Sequence, residues 1–181
     1  MIESLYWKEE LKRIADTVRR VDAPPRWTER RHCTVERDLM IGFFMLRRLI
    51  ELSKVSADIS DRNLTIFSWK SLGISVNKMN CGALDELYDM DNEVRESKRP
   101  FYIANQFIHA YMSFPCRDDT RNWCDMLIVS DFDRNDCIWR IPIDEIRTLF
   151  YDAANDYPSS ATFTFDTTKN DYVISVGQNE G

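Results

Sequence analysis

Apolar positions in the first third of the chain fall at helical spacing. Trp7, Leu11, Ile14, Ala15 and Val18 follow Ser4, a suitable N-cap, and predict one amphipathic helix ending before Ala23-Pro24-Pro25. From about Thr34 to Ser53 the apolar residues Leu39, Ile41, Phe43, Phe44, Leu46, Leu49 and Ile50 cover most of the circumference, as expected of a helix at the centre of a core. Gly42 lies inside it at a cost of about 1 kcal/mol relative to Ala, which close approach of another backbone would explain.

The pattern then shortens. NLTIFSWK (63–70) reads as a strand, Ile74 to Val76 as a short one and Gly82 to Met90 as a brief helix. A charged stretch, Asp91 to Arg99, runs into Pro100, which suits the first position of a third long helix, Pro100 to Phe114, stopped by Pro115. MLIVS (126–130) and CIWRI (137–141) alternate as two strands around a turn at Asp131 to Asp136. Ile146, Leu149, Phe150 and Ala153 make a helix of Ile143 to Ala154, and TFTFDTTKNDYVISV makes a second hairpin turning near Thr167 to Asp171.

Helices first and hairpins later predict the α+β class: three to four main helices packed on one face of a mostly antiparallel sheet built from hairpins. The expected organisation is a single globular domain over 1–181, with a helical part at 1–56, a mixed part at 57–176 and a loose tail at 177–181. A chain of 181 residues can bury roughly 70% of its unfolded surface, and 44% hydrophobic residues with only 5 Gly suit an ordered globule.

The 5 Cys form no C-x-x-C pair, so neither a disulfide framework nor a zinc site is expected, and a reducing, cytoplasmic setting follows. MIESLYWKEELKR does not read as a secretory leader. Leu39 to Leu46 falls well short of the roughly 20 residues a spanning helix needs, so no membrane is expected.

Net charge is -6, against coating nucleic acid by charge alone, yet it is unevenly placed. Residues 1–56 carry an excess of 3 positive charges and the remainder an excess of 9 negative ones.

Three stretches carry candidate chemistry. In SDFDRND, Asp131, Asp133 and Asp136 could converge on a hard cation such as Mg or Mn; Asp136 and Pro142, where an EF-hand needs Gly and Glu, exclude that motif, and ordinary turn chemistry competes. On the predicted third helix Tyr102, Asn105, Gln106, His109 and Ser113 form a polar seam, with His109 a candidate general base and Asn105 placed to orient it. In PPRWTERRH, Arg26, Trp27, Arg30 and Arg31 mix cations with an aromatic face suited to phosphates and bases.

The leading expectation is a non-catalytic protein-binding or regulatory module, a subunit of a larger assembly or a homo-oligomer, needing no cofactor. The alternative is a metal-dependent phosphodiesterase or nuclease using the Asp131 to Asp136 turn with His109. The third is nucleic-acid binding through the basic-aromatic segment.

Overall fold

The computed structural model describes residues 4–19, 27–168 and 170–177. The chain runs α1 (Ser4–Thr17), α2 (Glu29–Glu51), α3 (Ala57–Ser60), β1 (Leu64–Lys70), α4 (Leu84–Leu87), β2 (Val94–Lys98), α5 (Pro100–Ile108), β3 (Ala110–Arg117), β4 (Trp123–Ser130), β5 (Cys137–Pro142), α6 (Ile143–Asn155), β6 (Ser160–Asp166) and β7 (Asp171–Gly177). The α+β class holds. Five strands form one antiparallel sheet in the order β2-β1-β5-β4-β3, while β6 and β7 form a separate two-stranded sheet. Four long helices are joined by two one-turn helices: α4 lies within the brief helix expected at Gly82 to Met90, whereas α3 is unexpected, because a single turn has no repeat for periodicity to show.

Strand alternation divides the core. Ile66, Met126, Ile128, Trp139 and Ile141 face the long helices and join Leu11, Ile14, Leu39, Phe43, Phe107, Ile146 and Phe150 in one cluster. Phe43 stacks on Phe107 at 4.3 Å and meets Phe150 edge-on at 4.9 Å, so one α2 side chain locks α5 and α6. Burying such a ring contributes about 1.5–3 kcal/mol. On the opposite face Trp69, Leu127, Val129 and Ile138 are covered by Val76, Leu87 and Tyr88 from the 71–92 excursion.

Several expectations are corrected. Helix α2 begins at Glu29, not near Thr34, because Thr28 caps it by accepting the Arg31 N–H at 3.2 Å. The third helix ends at Ile108, and Ala110 to Phe114 belong to strand β3, paired with β4. Tertiary pairing overrides the helical pattern here, and Pro115 is tolerated because β3 lies at the sheet edge.

The charged stretch contains the other edge strand, β2, whose Arg95 and Glu96 deter further strand addition. Ile74 to Val76 is not a strand; this segment turns on Asn77 and Asn80, which accept backbone N–H groups at 2.8–2.9 Å. Gly42 does meet a close neighbour, but it is a side chain: an added Cβ would lie 2.5 Å from the Phe150 ring.

Among the described residues no helix is long and apolar enough to cross a membrane, and all five cysteines are free thiols. Residues 178–181 of the expected loose tail lie outside the described residues.

Candidate functional site

Antiparallel pairing of β3 with β4 sets Ala110 opposite Ser130, so the residues just beyond, His109 and Asp131, come side by side. The Asp131 N–H donates to the His109 carbonyl at 3.1 Å. This return of the chain lays the β4–β5 turn against α5 and opens a cleft of about 410 Å³ between them. Its walls are Tyr102, Asn105, Gln106 and His109 from the α5 stripe, Ser130, Phe132 and Asp133 from the strand end and turn, and Arg47 from α2. The polar seam and the aspartate turn, recognised separately in the sequence, therefore share one site.

Asp133 is its buried centre, with 8% of its surface exposed. Its Oδ2 accepts from the Tyr102 hydroxyl at 2.5 Å, the Gln106 amide at 2.7 Å and the Trp139 indole at 3.3 Å. Gln106 is itself fixed, its Oε1 accepting the Ser130 N–H at 3.0 Å. Burial and donation to Asp133 push the Tyr102 phenol far above its ordinary range, so it stays a donor. Burial, with the Asp133 charge adding to it, raises the Cys137 thiol to about 12, which leaves it a poor nucleophile.

Asn105 does not orient the His109 ring as expected. Its Oδ1 accepts from Arg47 Nη1 at 2.9 Å, while its backbone carbonyl takes the His109 N–H at 3.0 Å. His109 caps the C-terminus of α5 with an exposed ring that makes no hydrogen bond among the described residues. Arg47 also donates through Nε to Glu51 at 2.9 Å and lies 5.0 Å from the Phe101 ring centre. Ser113, expected on the same seam, lies instead on β3 with a buried hydroxyl that finds no partner among the described residues.

The three candidate metal ligands are not drawn to a common point. Asp131 is 71% exposed and paired with Arg134 at 3.0 Å, Asp133 points into the α5 network, and Asp136 is exposed, with its backbone carbonyl accepting from Ser71 N–H at 2.9 Å. Among the described residues no group of three or more His, Cys, Asp or Glu is arranged to hold a metal ion. The same turn also reaches the opposite layer: the Arg134 carbonyl accepts from the Tyr88 hydroxyl at 2.7 Å and the Asn135 side chain from the Val76 N–H at 2.9 Å.

The basic-aromatic segment opens α2. Trp27 packs against buried Trp123 at 5.0 Å, with the Arg31 guanidinium 5.0 Å from its ring centre, while Arg30 is exposed. The Trp27 ring thus packs the segment before α2 against the start of β4. Arg26 lies outside the described residues.

A second surface is apolar. Directly opposed residues share a face of a hairpin, so the pairs Ala161–Val176, Phe163–Ile174 and Phe165–Tyr172 line one side of β6–β7. Thr162, Thr164, Asp166, Asp171 and the exposed Val173 line the other. Phe163 and Tyr172 are each 61% exposed, and Phe165 and Ile174 are exposed beside them. The alternation of TFTFD is visible in the sequence; that none of the described residues covers Phe163, Phe165, Tyr172 and Ile174 is not.

Arg47, Ser130, Phe132 and Trp139 escaped sequence reasoning because their roles depend on contacts distant along the chain. Comparison of the chain with protein-family models, curated proteins and solved structures returns no match, so the reading of its surfaces rests on their geometry.

Proposed function

We propose that this chain is a protein-binding module whose contact surface is the β6–β7 hairpin, received as an arm by a second, different protein. The observation that carries this reading is the exposed apolar face of Phe163, Phe165, Tyr172 and Ile174 on a hairpin that, among the described residues, pairs with no other strand. Exposed apolar residues scattered singly mean little, but a contiguous aromatic and β-branched face has the composition of an interface core.

The occupant follows from size and charge. One face of a seven-residue, two-stranded hairpin covers roughly 24 by 10 Å, well below the roughly 800 Å² per partner of a standard interface. Two copies stacked face to face would bury too little. A partner that covers the face and adds a strand to the outer edge of β6 gains main-chain hydrogen bonds as well. Asp166 and Asp171, paired at the hairpin tip in a strongly acidic part of the chain, favour a partner whose apolar groove is bordered by basic residues.

The test compares wild type, Phe163→Ser/Tyr172→Ser and a control, Phe132→Ser, by sedimentation velocity and by quantitative affinity capture from the native host. The expected outcome is a monomer alone and a partner retained by wild type and control but lost from the hairpin variant, since truncating central aromatic anchors costs about 2 kcal/mol or more each. Identical captured sets from wild type and hairpin variant would refute the reading. A concentration-dependent dimer abolished by the hairpin substitutions would overturn the different partner in favour of a second copy.

A further inference from the structure

The α5 cleft presents polar groups that the fold itself leaves unused. Asp133 Oδ2 takes three donors, whereas Oδ1 takes none from the described residues. Arg47 commits Nε to Glu51 and Nη1 to Asn105, leaving Nη2. The Asn105 amide nitrogen and the His109 ring are also without partners among the described residues. Phe132, 89% exposed, presents its ring at the rim. The cleft volume of about 410 Å³ lies at the small end of the range for small-molecule sites.

We propose that this cleft binds a nucleoside monophosphate whose base carries an exocyclic amine. The phosphate lies on Arg47 Nη2, with the Asn105 amide and His109 as further donors. The base stacks on Phe132, and its amine donates to Asp133 Oδ1. Each feature excludes a simpler ligand. Inorganic phosphate would leave the Asp133 acceptor and the aromatic ring unused, and an uncharged nucleoside would leave the guanidinium unused.

Additional phosphates are disfavoured because Glu51 already pairs with Arg47, the single arginine that lines the cleft among the described residues, and Asp133 adds a carboxylate to its wall. The same chemistry occurs in a free nucleotide and in the terminal nucleotide of a single-stranded RNA.

Calorimetric titration and thermal melts with AMP, GMP, adenosine, ribose 5-phosphate and a short single-stranded RNA test this directly. AMP or GMP is expected to bind and raise the melting temperature, with adenosine and ribose 5-phosphate each at least tenfold weaker. Phe132→Ala removes only an exposed ring, so its melting temperature should be unchanged while AMP affinity falls about tenfold, in line with one lost stacking contact. Arg47→Gln should weaken AMP similarly and adenosine not at all.

Tighter binding of RNA than of AMP, sensitive to the same substitutions, supports the chain-terminal source; the reverse supports the free nucleotide. The proposal is overturned by the absence of binding of both AMP and GMP at millimolar concentration, by equal binding of ribose 5-phosphate, or by Phe132→Ala and Arg47→Gln proteins that bind as wild type does. None of these outcomes bears on the hairpin.

Discussion

Replacing Asp133 by Ala removes the acceptor that three donors share. Hydrogen bonds to a charged acceptor are worth about 1.5–3 kcal/mol each, and the contacts from Tyr102 at 2.5 Å and Gln106 at 2.7 Å are of this kind. The Trp139 contact, at 3.3 Å, is longer and contributes less.

Truncation leaves the Gln106 amide and the Trp139 indole buried without a partner, at about 1–3 kcal/mol each, while water entering the cleft can satisfy the half-buried Tyr102 hydroxyl. Because these terms overlap, the expected loss is about 3–5 kcal/mol, a large fraction of the roughly 5–15 kcal/mol that stabilises a domain.

Asp133→Asn keeps an acceptor and should lose less; Tyr102→Phe should cost about 1–2 kcal/mol, with a double-mutant cycle against Asp133→Asn showing clear coupling. Urea unfolding in EDTA, followed by tryptophan fluorescence, measures all of these. A loss below about 1 kcal/mol for Asp133→Ala would refute the clamp. A gain in stability would refute it equally.

The remaining predictions concern packing and pH. Gly42→Ala gains about 1 kcal/mol of helix propensity but drives a methyl to 2.5 Å from the Phe150 ring. Overpacking at about 1–3 kcal/mol should win, lowering the urea midpoint, and Phe150→Leu in the same chain should recover part of the loss. Burial alone would raise the Glu96 carboxyl, but hydrogen bonds from Ser68 and Lys98 and the nearby lysine charges outweigh it and hold the group below the ordinary carboxylate range. A depressed folded value means that its contribution is present above the ordinary pKa of about 4.3 and disappears as pH falls below it. Urea midpoints should therefore be flat from pH 7 to about 5.5 and decline below about 4.5, with Ser68→Ala showing a shallower decline.

Much of the fold was legible where alternation and turn chemistry agree: the β4–β5 and β6–β7 hairpins and helix α6 lie close to their expected positions. The decisive error was the helix carried on to Phe114. Tyr111, Met112 and Phe114 satisfy a helical apolar pattern as well as a strand pattern, and only pairing with β4 decides between them.

That error also concealed the cleft, because a continued helix would carry the chain away from Asp131, whereas β3 runs back alongside β4. Tyr102, Gln106 and His109 were visible as polar residues on an apolar helix, and Asp133 as one carboxylate among several. Their meeting depends on register. The alternating oxygens of SDFDRND suggest convergence, but residues 131–136 form a turn instead of an extended strand, so Asp131 pairs outward with Arg134 while Asp133 is buried against α5.

The 131–136 turn is thus a rivet through the sheet. Asp133 fastens it to the helical layer, and the Arg134 carbonyl and Asn135 fasten it to the excursion that covers the other face. A rivet transmits load. A ligand bound in the α5 cleft would touch the same turn that holds the 71–92 segment, so the expected outcome of adding AMP is slower amide exchange in that segment, and unchanged exchange there would show that the two layers are not coupled.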